Sequence, residues 1–152
     1  MKKIIAVVLV LVFSLGAFSA CTIGGARQSS RTPAETVLLF ADLCNARNAS
    51  GLRDVVSGTG EVVLDDADYT FVSMKITIQN TSAQMEPYEI DFYKNEFSDL
   101  LDTALVCVKQ ENTYTVNATN TKETFVDYLD YYLVSTRSHP DWMIVQITEQ
   151  AG

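Results

Sequence analysis

Carboxylate and tyrosine side chains alternate with apolar ones in the segment FVDYLDYYLV, residues 125–134. This period of two predicts a β-strand with two different faces. One face carries Asp127 and Tyr131, and the other carries Tyr128, Asp130 and Tyr132. A carboxylate in an apolar pocket beside a tyrosine hydroxyl has a raised pKa, so it can act as a base or hold a polar ligand. These five residues form the candidate pocket of the chain, and the pattern assigns no catalytic residue.

The same carboxylates also have a purely structural interpretation. In that interpretation one of them faces solvent, as most carboxylates do. The other pairs with Lys75, Lys109 or Arg137 across the sheet. Both interpretations remain open from the sequence.

Other residue types that could do chemistry point to neither a metal nor a cofactor. The acidic run DDAD, residues 65–68, lacks the glycine and the distal glutamate of a calcium loop, which favours a solvated acidic turn. His139 is the single histidine and there is no CxxC, so a zinc site is not expected. Cys44 and Cys107 could pair in an exported protein, or they could be two buried thiols that act as small apolar residues.

The elements that carry these residues follow an α+β plan. Thr32, Pro33 and Glu35 give a capping box and a proline in the first turn, which predicts a helix there, and a short second helix follows at residues 52–56. Strands are predicted at residues 71–79, 103–115, 124–137 and 142–148. We therefore expect two N-terminal helices packed on a curved, mostly antiparallel sheet of about four to five strands. They form one domain at residues 32–148, with a C-terminal tail at 149–152.

The last two strands are apolar on both faces, which a sheet with one face in water should not be. Something should therefore cover the second face. One possibility is a homodimer formed through the sheet. The other is that part of the segment 88–101, whose pattern is ambiguous between strand and helix, folds over that face.

The N-terminus resembles the signal peptide of a bacterial lipoprotein. Met1 and two lysines precede an uncharged apolar run, and residues 14–20 are small and mixed. The sequence FSAC then resembles a lipobox, in which two small residues precede the cysteine that becomes acylated, although Phe18 stands where leucine is preferred. We expect a signal peptide at 1–20, a lipid on Cys21 and a flexible tether at 21–31. We expect these features to anchor the protein to the extracytoplasmic face of the cell membrane. The alternatives are an uncleaved signal anchor, or soluble secretion with Cys21 as an ordinary thiol.

The charge of the chain excludes one large class of partner. The formal net charge is −8, and loss of Lys2 and Lys3 with the signal peptide makes it −10. A chain this acidic does not neutralise phosphates, so nucleic acid is not expected as a partner. It also repels anionic lipid head groups, so the contact with the membrane should be made by the anchor alone.

A second resemblance concerns the domain itself. The capped helix at TPAETVLLFADLCNARN and the closing pattern YYLVSTRSHPDWMIVQI look like the cone-shaped α+β fold of nuclear transport factor 2 and its relatives. The whole chain resembles small Gram-positive lipoproteins with an uncharacterised domain of this superfold, in which a third helix is usual but not evident here. Because the superfold hosts enzymes, adaptors and inert domains, it does not select a function. The expectation is a non-catalytic binding or interaction module, with an Asp/Tyr-lined small-molecule pocket or enzyme as the alternative.

Overall fold

A computed structural model describes residues 30–58 and 62–150. Within these residues the chain forms three helices and four strands in one α+β arrangement. The elements are α1 (Pro33–Asn45), α2 (Ala49–Val55), β1 (Tyr69–Asn80), α3 (Pro87–Glu96), β2 (Leu100–Val116), β3 (Thr121–Thr136) and β4 (Met143–Glu149). The α+β class, the two N-terminal helices and the four predicted strands are confirmed.

The start of α1 is the one that the sequence predicts. The Thr32 side chain accepts a hydrogen bond from the backbone N–H of Glu35, and the Glu35 carboxylate accepts one from the Thr32 backbone. Pro33 occupies the first turn, where no N–H is required. These hydrogen bonds satisfy donors that a helix start otherwise leaves free. The beginning of the domain is thus fixed by local chemistry.

The four strands form an antiparallel meander in the order β1-β2-β3-β4. β2 and β3 form the longest pairing, from Leu100 opposite Thr136 to Val116 opposite Thr121. Register shifts occur in all three pairings, and two of them interrupt β1. Such bulges bend a strand and increase its twist.

The main core lies between the sheet and the first two helices. We call this side of the sheet the inner face. It includes Val106, Val108, Tyr131, Leu133 and Ile144, each with no more than 1% of its surface exposed. The helices contribute Val37, Phe40 and Cys44 from α1, together with Leu52 and Val55 from α2.

Helix α3 is the element that the sequence analysis did not resolve. The stretch YEIDFY, which alternates like a strand, lies within this helix, and the following residues, which could have been helical, form its end, a turn and the start of β2. The ambiguous segment therefore adds a third helix to the two predicted N-terminal ones. Glu86 and Glu89 form a reciprocal capping box, and Pro87 occupies the first turn.

Helix α3 covers one end of the opposite side of the sheet, which we call the outer face. Tyr93 and Met85 pack there against Leu105, Val134 and Val145, all of which are 9% exposed or less. Coverage of the second face by the segment 88–101 is confirmed for this end. At the other end Val126 and Tyr128 remain 49% and 53% exposed.

Side chains occupy the free edge of β1. The Asn45 amide donates to the Met74 carbonyl and accepts from the Met74 N–H, at 2.9 and 2.7 Å. Arg47 donates to the Phe71 carbonyl at 2.9 Å, and Asp65 accepts from the Phe71 N–H at 2.7 Å. At the opposite edge of the sheet, the Ser57 N–H donates to the carbonyl of Ile144 on β4.

Candidate functional site

The alternation of β3 divides the five predicted pocket residues between the two faces of the sheet. Asp127 and Tyr131 lie on the inner face with Phe125, Leu129 and Leu133. The other three, Tyr128, Asp130 and Tyr132, lie on the outer face. The structure therefore contains two candidate sites, one on each face.

The inner-face candidate is a small group of polar side chains within an apolar core. Tyr131 is fully buried, and its hydroxyl donates to Gln110 Oε1 at 2.5 Å. Gln110 lies directly opposite Asp127 in the β2–β3 pairing. Asn112, the next inward-facing residue of β2, is 2% exposed, and its Oδ1 accepts no hydrogen bond in the described part of the chain. Buried polar atoms are usually paired, so this oxygen could accept from a ligand.

The acidic side chain of the inner-face candidate is Asp127, whose carboxylate is partly desolvated. Burial raises the pKa of Asp127, and the charge of Glu149 raises it further. Burial also raises the pKa of Tyr114, with Asp127 as the next contributor. Among the residues that the structure describes, neither Asp127 nor Asp130 forms the predicted ion pair with Lys75, Lys109 or Arg137; Lys75 and Lys109 both contact Glu111, at 3.7 and 2.6 Å.

The outer-face candidate is an open cleft of about 430 Å³ between α3 and strands β3 and β4. Four aromatic side chains line it: Tyr88, Phe92, Tyr93 and Tyr132. Three polar ones complete the lining: Glu89, Gln146 and Thr148. Tyr88 and Phe92 are 72% and 49% exposed, which is unusual for large aromatic residues that have a core available to them.

Two of the three tyrosine hydroxyls in this cleft, those of Tyr93 and Tyr132, are held by the protein itself. Tyr132 donates to Glu89 Oε1 at 3.0 Å, and Tyr93 donates to Gln146 Oε1 at 2.8 Å. The second carboxylate oxygen of Glu89 accepts from the Glu86 N–H at 2.7 Å, so one side chain both caps α3 and orients Tyr132. Burial raises the pKa of Tyr93 and of Tyr132, which keeps both phenols protonated as donors.

Asp130 and Tyr128 lie on the outer face beside the cleft but do not line it. Asp130 accepts from the Gln150 side chain at 3.0 Å. Burial raises the pKa of the Cys107 thiol to about 11, with a hydrogen bond to Asp130 as the second cause. A thiol with such a pKa is a poor nucleophile at neutral pH. Cys107 and Cys44 are both free thiols; Cys44 is buried, as one interpretation expected of both, whereas Cys107 is only partly buried.

The remaining candidates for chemistry have structural roles. Asp65 forms a two-point ion pair with Arg47, at 2.7 and 3.0 Å, and Asp66 accepts from the backbone of Asp68 and Tyr69. The acidic run is thus a hydrogen-bonded turn. His139 lies in the β3–β4 connection, where its Nδ1 is 3.0 Å from the Asp141 carbonyl. No group of three potential metal ligands occurs among the residues that the structure describes.

Eight residues of the two sites were not singled out from the sequence: Gln110 and Asn112 on the inner face, and every residue of the cleft lining except Tyr132. Gln110 and Asn112 could have been found by extending the alternation to β2, where they fall on the apolar face. Glu89 and Phe92 could have been found from the proline and paired glutamates at the start of α3, because these are helix-start signals. No local sequence pattern predicts the contact between α3 and β4.

Comparisons with known proteins do not assign this chain to a family. No protein-family model matches it, and no curated protein and no solved structure is significantly similar to it.

The predicted signal peptide, Cys21 and the predicted tether as far as residue 29 lie outside the described residues. In the described part of the chain, none of the helices combines the length and the apolar character needed to cross a membrane.

Proposed function

We propose that this protein is a non-catalytic binding module held at the extracytoplasmic face of the cell membrane by a lipid on Cys21. The ligand occupies the cleft between α3 and the outer face. The observation that carries this proposal is the aromatic lining, with Tyr88 and Phe92 left exposed beside a preformed cavity of about 430 Å³. Binding sites for small ligands are concave, largely apolar and fixed in orientation by a few polar groups.

A fold resembling the nuclear transport factor 2 cone belongs to this proposal. It is supported by the capped α1, the short α2 and the antiparallel meander that packs both helices on one face. The third helix, usual in that superfamily, is also consistent with it. Within such a fold the inner face would be the concave one.

The anchoring part of the proposal is tested by substitution of the cysteine. Wild-type protein should sediment with membranes and incorporate a radiolabelled fatty acid. Cys21→Ala should carry no label, because the acyl chains are attached through this cysteine. Cys107→Ala is the matched control and should remain on membranes with its label. Label retained by Cys21→Ala, or a wild type without label, would refute the lipid anchor.

The binding part is tested by protein-observed NMR with a library of small neutral, cationic and anionic fragments. Fragments should shift the resonances of Tyr88, Phe92 and Gln146, and Phe92→Ala should abolish these shifts. Tyr128→Ala, which removes another exposed outer-face aromatic, is the matched control and should leave them intact. Complete absence of cleft-directed shifts would refute the proposed site.

A second candidate function is favoured by one specific observation. Asn112 Oδ1 is buried without a donor on the same face as Asp127, whose pKa is raised by burial. A small molecule with hydrogen-bond donors could bind there, and Asp127 would then act as a base or as an acceptor. In the same NMR experiment, shifts clustered on Asn112 and Asp127 would support this alternative.

A further inference from the structure

The aromatic residues of the cleft are arranged so that a small ligand would meet rings from more than one direction. Phe92 and Tyr93 lie edge to face, with centroids 5.3 Å apart and planes at 76°. Tyr93 and Tyr132 are tilted by 43° at 6.5 Å. Tyr88, on the first turn of α3, adds a fourth ring. Rings at such angles can enclose a rounded group better than a flat one.

The charge in and around the cleft is negative. Glu89 is the only carboxylate in the lining, which contains no lysine, arginine or histidine. Asp130 acts from nearby, since its charge contributes to the raised pKa of Tyr132. Lys94, on the same helix, is paired with Asp91 at 3.1 Å. An anionic ligand would therefore be repelled here, in a chain whose net charge is already −8.

Most hydrogen-bonding groups of the cleft already have protein partners, which leaves the Tyr88 hydroxyl and the Gln146 amide NH2 to serve a ligand. The hydroxyls of Tyr93 and Tyr132 donate to Gln146 and Glu89, and both Glu89 oxygens already accept from protein donors. A ligand that needs many hydrogen bonds, such as a sugar, would leave its polar groups unsatisfied. A ligand that offers charge and apolar surface without hydrogen-bond donors would leave no donor of its own unsatisfied.

From these three observations we infer that the ligand of the cleft is an organic cation with an alkylated ammonium group. This inference rests on the proposed function, in which the cleft is the binding site. The ring faces attract a cation through their quadrupoles, the Glu89 carboxylate supplies the opposite charge, and the methyl groups of the cation fill the apolar lining. The rings and the carboxylate thus match the positive charge of such a group, and the apolar lining matches its methyl groups.

The test compares choline with its uncharged isostere 3,3-dimethylbutan-1-ol, in ligand-detected NMR titrations. The full-length protein is used in an uncharged maltoside detergent. Choline should bind at least about fivefold more tightly than the isostere, because the two share a shape and differ in charge. Phe92→Ala should weaken choline binding by at least about fivefold, whereas Tyr128→Ala, outside the lining, should not change it.

Thermal melting of both variants establishes that they are folded, which is expected because both side chains are about half exposed. Equal affinity of choline and the isostere would overturn the cation while leaving the cleft as a binding site. The same conclusion follows if neither compound binds while neutral fragments still occupy the cleft. Choline binding that persists in Phe92→Ala would also overturn the inference, because the cation would then bind elsewhere.

Discussion

The two faces of one strand, β3, have different relations to the rest of the molecule. On the inner face Tyr131 and Leu133 are fully buried, and the polar atoms there are paired within the core or, at Asn112, left without a donor. On the outer face Val134 is buried under α3, whereas Val126 and Tyr128 are about half exposed. The alternation of β3 therefore places residues that stabilise the core on its inner face and residues that form an accessible surface on part of its outer face.

The largest expected difference between the faces is in core packing. Leu133→Ala on the inner face should lower the free energy of unfolding by roughly 2–5 kcal/mol, because it leaves a cavity in a fully buried position. Leu101→Ala, on an exposed leucine of β2, is the matched control and should change it by less than about 0.5 kcal/mol. Urea unfolding measures both. If the two variants lost equal amounts of unfolding free energy, the assignment of the main core to the inner face would be contradicted.

A smaller difference is expected between two adjacent tyrosines. Tyr131→Phe leaves Gln110 Oε1 buried without its donor, which should cost roughly 1–3 kcal/mol of unfolding free energy. Tyr132→Phe should cost about 0.5–1.5 kcal/mol, because water can replace the lost hydroxyl at the half-buried Glu89. Urea unfolding of the two single variants compares them directly. The reverse order of the two losses would mean that the outer-face hydrogen bond is the better protected one.

The inner face should also confer a pH dependence on stability. The pKa of Asp127 is raised in the folded state, so its neutral form favours folding and that contribution is lost as pH rises through the raised pKa. Asp127→Asn should match the wild type near pH 3 and exceed it at pH 7, by less than about 1 kcal/mol because Asp127 is partly solvated. Thermal melting across pH measures the effect. Glu149→Gln removes the second cause of the raised Asp127 pKa, so it should reduce the loss of stability as pH rises. If the wild type is no less stable than Asp127→Asn at pH 7, the raised pKa of Asp127 is contradicted.

The smallest effect on stability is expected at the exposed end of the outer face. If this surface forms the predicted homodimer, wild type should sediment as a dimer at high micromolar concentration. Tyr128→Glu should then sediment as a monomer, with its melting temperature changed only by the loss of association. Tyr88→Glu, on the exposed side of α3, is the control for added charge and should remain dimeric. A monomeric wild type in the same sedimentation experiment would remove the homodimer.

Much of the fold could be predicted because its signals are local. The period of two in β1 and β3, and the capping box of Thr32 and Glu35, depend only on neighbouring residues. The five pocket candidates were each placed on the predicted face of β3. The sequence could not show that Tyr132 would line a cleft on the outer face while Tyr128 and Asp130 would lie beside it.

The outer cleft could not be predicted because it depends on contacts distant in sequence. Tyr93 and Gln146, which share a hydrogen bond, are 53 residues apart. Helix α3 was ambiguous because Glu86 is a weak residue at the cap position and YEIDFY fits a strand period as well. Its packing on Leu105 and Val134, rather than its local pattern, accounts for its position on the sheet.

The side chains along the edge of β1 have a consequence wherever copies of this protein are crowded together. Asn45, Arg47 and Asp65 occupy backbone groups that a strand from another molecule would need, and Ser57 does the same at one point on β4. Addition of a further strand at these positions would first have to displace hydrogen bonds already made. Neighbouring copies should thus be protected from edge-to-edge polymerisation even at high local density.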